Sequence, residues 1–169
     1  MTDEPRPAPV PARAPATAPA TAPVELTPST GPDPEAEQFV AQLAPALGNV
    51  GGSTQSVPGA VSYIISPADG AVVTNPVRVL FGLDRMGIAP ITSSHEGTGH
   101  HHLLIDIELP PLDRPLPASE NLRHFSGGQT EASLNLAPGE HTLQLVLGDH
   151  NHTPHQPPVV SREITITVQ

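Results

Sequence analysis

The fold class is decided by residues 100–108, whose sequence is His100-His101-His102-Leu103-Leu104-Ile105-Asp106-Ile107-Glu108. Successive side chains of a β-strand point to opposite faces of its sheet, so the odd-numbered residues share one face. Apolar residues at the odd positions predict a strand with its core face on that side, and His101 lies on the same face. The even positions place His100 and His102 together on the other face, about 7 Å apart along the strand. Two ligands at that spacing can bind one metal ion.

The same two-residue alternation recurs along the chain after Val57. Turn compositions such as Pro67-Ala68-Asp69-Gly70 and Pro138-Gly139 separate the runs. The predicted strands cover residues 62–65, 77–83, 101–108, a short segment near 122–125, 130–136, 141–147 and 162–168. About seven short strands in this length predict an all-β fold, an immunoglobulin-like antiparallel β-sandwich.

The leading segment has a different composition. Twelve of the 23 prolines lie between Met1 and Pro58, many of them in an Ala/Pro-rich repeat. Such a sequence favours a semi-extended spacer over a packed core. The sequence therefore predicts a disordered Pro/Ala-rich leader over residues 1–56 and a β-sandwich domain over residues 57–169. Within the leader, an N-cap at Asp33 followed by Pro34 predicts a short helix over residues 34–44.

The leader also bears on where the protein acts. An apolar h-region does not follow the acidic start Met1-Thr2-Asp3-Glu4, so we expect no export signal in these residues. The Ala/Pro tract is similar to the tether that remains after an export signal is removed. We therefore expect a periplasmic or secreted protein whose signal has been removed, and a cytoplasmic protein with a disordered tail is the alternative. No stretch approaches 18 apolar residues, so we expect no transmembrane segment.

Charge and cysteine content exclude several function classes. The formal net charge is −10, and all seven basic residues are arginines. This balance repels nucleic acid and favours cations. The chain has no cysteine, which excludes zinc fingers, iron–sulfur clusters and thiolate-bound blue copper.

Eight of the nine histidines are predicted to meet at one end of the sandwich. In an immunoglobulin-like topology the connections after the second, fourth and sixth main strands share one end. Those segments carry His95, His100, His101, His102, His124, His150, His152 and His155. The ninth histidine, His141, begins a strand at the opposite end and is expected to be structural.

Imidazole is the commonest protein metal ligand, so this gathering predicts a metal-binding module. The proposed core ligands are His100, His102, His152 and His155, and the next candidates are Met86 and His101. Met86 would favour copper if it faced the histidines, because a soft thioether suits Cu(I). Zinc is the competing ion. Isolated His95 and His124 fit solvated or structural roles better, and Asp149 is either an oxygen ligand or an acceptor that orients a histidine.

Several motifs together resemble a bacterial family of histidine-rich exported β-domains that is catalogued as being of unknown function. They are Gly97-Thr98-Gly99-His100-His101-His102-Leu103-Leu104-Ile105-Asp106, Gly128-Gln129-Thr130-Glu131, Pro138-Gly139-Glu140-His141-Thr142-Leu143-Gln144-Leu145 and Gly148-Asp149-His150-Asn151-His152-Thr153-Pro154-His155. The resemblance covers residues 66–168 approximately. It implies a small secreted or periplasmic domain and supplies no activity.

Three functions remain open at this point. The first is a periplasmic copper-binding protein for capture, delivery or tolerance, which binds rather than catalyses and whose partners are the metal ion and a metal-handling protein of the periplasm. The second is a non-enzymatic cell-envelope module that binds a protein or glycan and has structural histidines. The third is a copper redox enzyme with a dismutase-like His-x-His strand.

Overall fold

The structure is a computed structural model, and it describes residues 53–169. Within this range the chain forms nine strands. They are β1 (Val61–Ser66), β2 (Ala71–Val73), β3 (Val77–Asp84), β4 (Gly87–Ile88), β5 (Thr98–Ile105), β6 (Leu122–His124), β7 (Glu131–Leu134), β8 (Gly139–Gly148) and β9 (Ile164–Val168).

The strands form two sheets of a β-sandwich, which confirms the predicted all-β fold class. One sheet has the order β1-β3-β7, and the other has the order β2-β9-β8-β5-β4, with β6 paired to β5. Most pairs are antiparallel, but β2 pairs with β9 and β4 pairs with β5 in parallel. The sequence analysis did not find β2 and β4, because strands of three and two residues are too short to show alternation.

The main core lies between the two sheets. From β5 it takes Leu103 and Ile105, and from β8 it takes Leu143 and Leu145, so the odd-numbered residues of both strands face inward. Phe81 and other apolar residues of β3 and β7 close the core from the opposite sheet. This arrangement follows directly from the alternation in the sequence.

A second apolar cluster covers the outer face of the six-stranded sheet. Leu104 and Val146 from this face pack with Leu112, Leu116 and Val160. The connection between β5 and β6, which contains Leu112 and Leu116, therefore lies over the outer face. Because both faces are covered, the seven residues 99–105 of β5 are all buried.

The edge of the domain extends slightly further toward the N-terminus than residue 57. The backbone N–H of Ser56 donates to the carbonyl of Gln156, and Gln156 N–H donates to the carbonyl of Thr54. The predicted leader before these residues, with its helix over 34–44, lies outside the described residues. In the part of the chain that is described, no helix has the length and apolar character needed to cross a bilayer.

Candidate metal centre

Strand β5 places two histidines on the covered outer face. His100 and His102 share the phase of Leu104, which packs on that face, whereas His101 shares the phase of Leu103 in the main core. Both outer histidines are almost fully buried, with exposed fractions of 1% and 0%. A buried polar ring needs a partner, because an unpaired polar group in an apolar environment costs roughly 1–3 kcal/mol.

Strand β6 brings a further histidine beside them. In its antiparallel register with β5, Leu122 lies opposite Leu104 and His124 lies opposite His102. Side chains in directly opposed positions share one face and are close to each other. The ring centroids of His102 and His124 are accordingly 4.5 Å apart.

A tight turn after β8 brings His152 back over the sheet. The Oδ1 of Asp149 accepts hydrogen bonds from the backbone N–H groups of Asn151 and Thr153, at 2.8 and 3.0 Å. His152 adopts a left-handed backbone conformation with φ of 60°. Its carbonyl accepts a hydrogen bond from the N–H of Leu116, in the covering connection. These contacts hold His152 in place before any ligand binds.

The three nitrogens of this histidine triad converge on one point. The Nδ1 of His152 lies 2.9 Å from the Nε2 of His100 and 3.2 Å from the Nε2 of His102. The candidate ligand atoms of the three residues all lie within 4.8 Å of one another. A metal–nitrogen bond of about 2.0–2.1 Å places tetrahedral ligands roughly 3.3 Å apart. Two edges of the triad are therefore already close to the length that a tetrahedral ion requires.

Hydrogen bonding within the triad cannot satisfy all three nitrogens. A neutral imidazole has one N–H donor and one acceptor lone pair. The Nδ1 of His152 can either donate its single proton to one neighbour or accept with its single in-plane lone pair, although two Nε2 atoms approach it. A cation at this point would instead accept a lone pair from each of the three rings.

Strand β8 leaves room for the His102 ring by having glycine at position 148. A Cβ on Gly148 would lie 2.5 Å from Cε1 and 3.1 Å from Nδ1 of His102. Such distances are below van der Waals contact, so any side chain here would displace the ring. The glycine is therefore part of the site, although it offers no ligand atom.

The environment keeps His100 and His102 neutral at pH 7. Burial, followed by the neighbouring His152 and His124, lowers the pKa of His100 from its ordinary value of 6.5 to about 4. Burial, followed by His100 and His124, lowers the pKa of His102 to about 2. Neutral imidazole is the form that binds metal, so few protons compete for these ligands at pH 7.

The structure places the other three candidate ligands outside this triad. His101 lies on the inner face, where its ring packs edge-on against Phe81 with centroids 5.3 Å apart. Met86 packs in a separate apolar cluster with Ala60, Leu147 and Val159. Because Met86 contacts this cluster, the thioether argument for copper loses its geometric basis.

His155 is buried in a different setting. Its Nδ1 lies 2.7 Å from the hydroxyl of Thr54, and its Nε2 would lie 2.7 Å from a Cβ placed on Gly99, on the inner side of β5. The ring lines a cavity of about 500 Å³ together with His95 and His150. His152 and His155 therefore lie in different places: His152 lies over the outer face of the six-stranded sheet, and His155 lies beside Gly99 on the inner side of β5.

Two further residues have structural contacts. His141 lies at the other end of the domain, where its Nδ1 is 2.7 Å from the Oδ2 of Asp106 and its Nε2 is 2.8 Å from the carbonyl of Ala137. The carboxylate of Asp149 is occupied by the turn and by a 3.4 Å contact with Thr54. This position makes Asp149 an organiser of the turn that carries His152.

A solvated or structural role was expected for His124, and its position beside the triad was not predicted. The His124 ring lies against both His102 and His152, with a centroid distance of 4.3 Å to the latter. The sequence did predict a short strand near 122–125, which contains His124. Alternation alone could not show the register between that strand and β5, and therefore could not place His124 opposite His102.

Comparison with known proteins gives a family and supplies no activity. A family model described as "Domain of unknown function (DUF4399)" matches residues 79–169, which include every residue of the triad. No curated protein matches the chain. Among solved structures, the chain is similar to one described as "Structures of Clostridium thermocellum CbhA fibronectin(III)-like modules", with 8% identity and a TM-score of 0.34. The match covers 64% of this chain and 93% of that one.

Proposed function

The chain belongs to this DUF4399 family, and we propose that its function is to bind a metal ion, most favourably copper, through His100, His102 and His152. The observation that carries the proposal is the convergence of three ring nitrogens on one point, 2.9 and 3.2 Å apart along two edges, with His100 and His102 buried and His152 partly buried. Residues from two distant parts of the chain, β5 and the turn after β8, form this point. The mechanism is binding without turnover.

Preorganisation supports tight binding. The sheet fixes His100 and His102, and the turn built on Asp149 fixes His152. Little side-chain freedom remains to be lost when an ion binds, and this reduces the entropic cost of binding. The three nitrogen donors disfavour ions that require octahedral oxygen ligands, such as Mg²⁺.

The donor set and its burial support copper as the ion. Imidazole nitrogen suits both copper and zinc, and the stability order of divalent metals reaches its maximum at copper. Burial lowers the pKa values of His100 and His102, so these two ligands are neutral and carry no charge that would offset the charge of an ion. The cost of burying an ion rises with the square of its charge, which favours monovalent Cu(I) over a divalent ion. Zinc remains the competing ion.

We further propose that the protein works outside the cytoplasm, in capture, delivery or tolerance of the metal. The Pro/Ala-rich leader supports this as a tether, and the net charge of −10 supports accumulation of cations near the domain. Delivery would require a metal-handling protein of the periplasm as partner.

The alternative is an envelope module whose histidines only pack its outer face. It is favoured by the close ring contacts among His100, His102, His124 and His152. The two functions make opposite predictions for metal affinity, so one experiment separates them.

That experiment is calorimetric titration of the metal-free full chain with Cu(II), with Cu(I) under reductant, and with Zn(II). We expect one equivalent to bind with a Kd well below about 10 μM, which corresponds to roughly −7 kcal/mol. The double variant His100→Ala/His102→Ala should lose this binding, and His95→Ala, which removes an exposed histidine, should retain it. Absence of binding by the wild-type chain, or equal binding by the double variant, would reject the proposal.

A further inference from the structure

A fourth histidine, His124, lies against two rings of the triad. His124 is the cross-strand partner of His102, and its ring is 4.5 Å from that of His102 and 4.3 Å from that of His152, centroid to centroid. Two of the three triad rings therefore have His124 as an immediate neighbour.

The hydrogen bonding of His124 is incomplete. Its Nε2 is buried and has no hydrogen-bond partner among the described residues. A buried nitrogen without a partner costs free energy, and this cost is removed if the nitrogen binds an ion. A ring that served only as packing could be replaced by an apolar residue at no such cost.

Backbone geometry fixes which way His124 faces. Leu122, which shares its face, packs in the outer apolar cluster, whereas Arg123 between them is exposed. His124 therefore points to the same covered face as His100 and His102. Its ligand atoms lie outside the group that falls within 4.8 Å, so joining the triad requires a turn of the ring about its side-chain bonds.

We infer that His124 is the fourth ligand and that it closes the metal site as a four-histidine centre with no open position. The inference rests on the proposed function and specifies its coordination. Closed four-coordinate sites hold an ion, whereas catalytic sites keep one position for water or substrate. A four-histidine centre is thus suited to holding the ion, and it argues against dismutase-like turnover.

Cobalt(II) tests the coordination number, because a tetrahedral Co(II) site absorbs visible light much more strongly than five- or six-coordinate sites do. The full chain loaded with one equivalent of Co(II) should show the intense tetrahedral spectrum, and added azide should leave it unchanged. His124→Ala and His124→Phe should both weaken Co(II) binding by roughly 100-fold or more. Both should also open a position at which azide changes the spectrum.

The phenylalanine variant is the matched control for stacking. It retains an aromatic ring beside His152 but offers no nitrogen. If His124→Phe has the affinity and the azide-insensitive spectrum of the wild type, His124 is a packing residue and the inference is wrong.

A measurement on the wild-type chain makes the test independent of how the variants fold. Side-chain nitrogen NMR of the Zn(II)-loaded chain should show metal-shifted nitrogens for four histidines, including His124. Three shifted histidines without His124 would overturn this inference and leave the proposed function standing. Failure of the wild type to take up Co(II), Zn(II) or copper would overturn both.

Discussion

At the residue scale, Gly148 determines how closely β8 approaches the triad. A methyl group at this position would overlap the His102 ring, with its Cβ 2.5 Å from Cε1. His102 is fully buried and has little room to move. The residue therefore links backbone packing to the position of a ligand.

Gly148→Ala should weaken metal binding and destabilise the fold by about 1–3 kcal/mol, the usual range for overpacking. Calorimetric titration and thermal unfolding check both effects. Gly127→Ala is the matched control, because a Cβ there would meet only the exposed Gln129 side chain, at 3.2 Å. Wild-type affinity in Gly148→Ala would show that the His102 ring position is unimportant.

Asp149 acts on the site through the turn rather than as a ligand. Its Oδ1 accepts two backbone N–H groups, those of Asn151 and Thr153, and so fixes the loop that presents His152. Asparagine keeps an acceptor oxygen at the same place, whereas alanine does not.

Asp149→Ala should therefore lower metal affinity roughly 10-fold or more, the range seen when supporting contacts of ligands are lost. Asp149→Asn should restore most of it. If asparagine is as damaging as alanine, the carboxylate itself contributes to the site, and the assignment of Asp149 to the turn alone is wrong. Metal titration of the two variants side by side gives the answer.

At the scale of elements, strand β5 divides its histidines between two faces. His100 and His102 belong to the outer face, and His101 packs against Phe81 in the main core. This division follows from the two-residue period of the strand. Because the three histidines are adjacent and identical, composition alone would predict the same effect for a substitution at each. Their division between two faces predicts different effects.

His101→Leu should leave metal affinity within about threefold of the wild type, since single-site effects on the opposite face are small when the fold is kept. Leucine has an apolar side chain suited to the core position. His100→Leu, on the other face, serves as the comparison and should lose binding. A loss in His101→Leu equal to that in His100→Leu would mean that the strand does not present its faces as described.

The strands and turns also show which features of the site could be predicted from the sequence and which could not. Alternation placed His100 and His102 on one face, because the strand period is a local property. It did not separate His152 from His155, because their separation depends on the left-handed backbone of His152 and on a hydrogen bond from the distant Leu116. It did not place His124 beside His102 either, because the register between β5 and β6 is set by tertiary packing.

Met86 shows a different limit. Thioether packing in a core is common, and this favoured packing for Met86, although the residue was kept as a candidate ligand. Its position was decided by the apolar cluster of Ala60, Leu147 and Val159, whose members come from three separate segments. The longer strands, by contrast, were predictable because each contains enough residues to show its own period.

At the scale of the whole molecule, the buried histidines make the metal-free fold sensitive to acid. The pKa values of His100 and His101 are lowered to about 4, and that of His102 is lowered to about 2, in each case mainly by burial. In the unfolded chain the same groups titrate near 6.5. Below that pH the unfolded state binds more protons than the folded state does, so folding stability falls as the pH decreases.

The metal-free protein should therefore be most stable above pH 6.5. Its free energy of unfolding should fall by up to about 1.4 kcal/mol per pH unit for each such histidine as the pH decreases toward 4. His141 opposes this trend, because its hydrogen bond to Asp106 raises its pKa and favours the folded state at lower pH. Urea unfolding at a series of pH values measures the net change in the free energy of unfolding from all of these histidines. Stability that stays constant or rises between pH 6.5 and 4.5 would contradict the neutral, buried state of the histidines.

The position of the metal ion in the domain is the central claim, and anomalous diffraction can locate that ion directly. Crystals of the chain loaded with one equivalent of copper should be measured on both sides of the copper absorption edge. We predict a single anomalous peak between the Nε2 of His100, the Nε2 of His102 and the Nδ1 of His152. A peak in the cavity beside His95 and His150, at the His141–Asp106 end, or nowhere in the domain would contradict the claim that this triad is a metal centre.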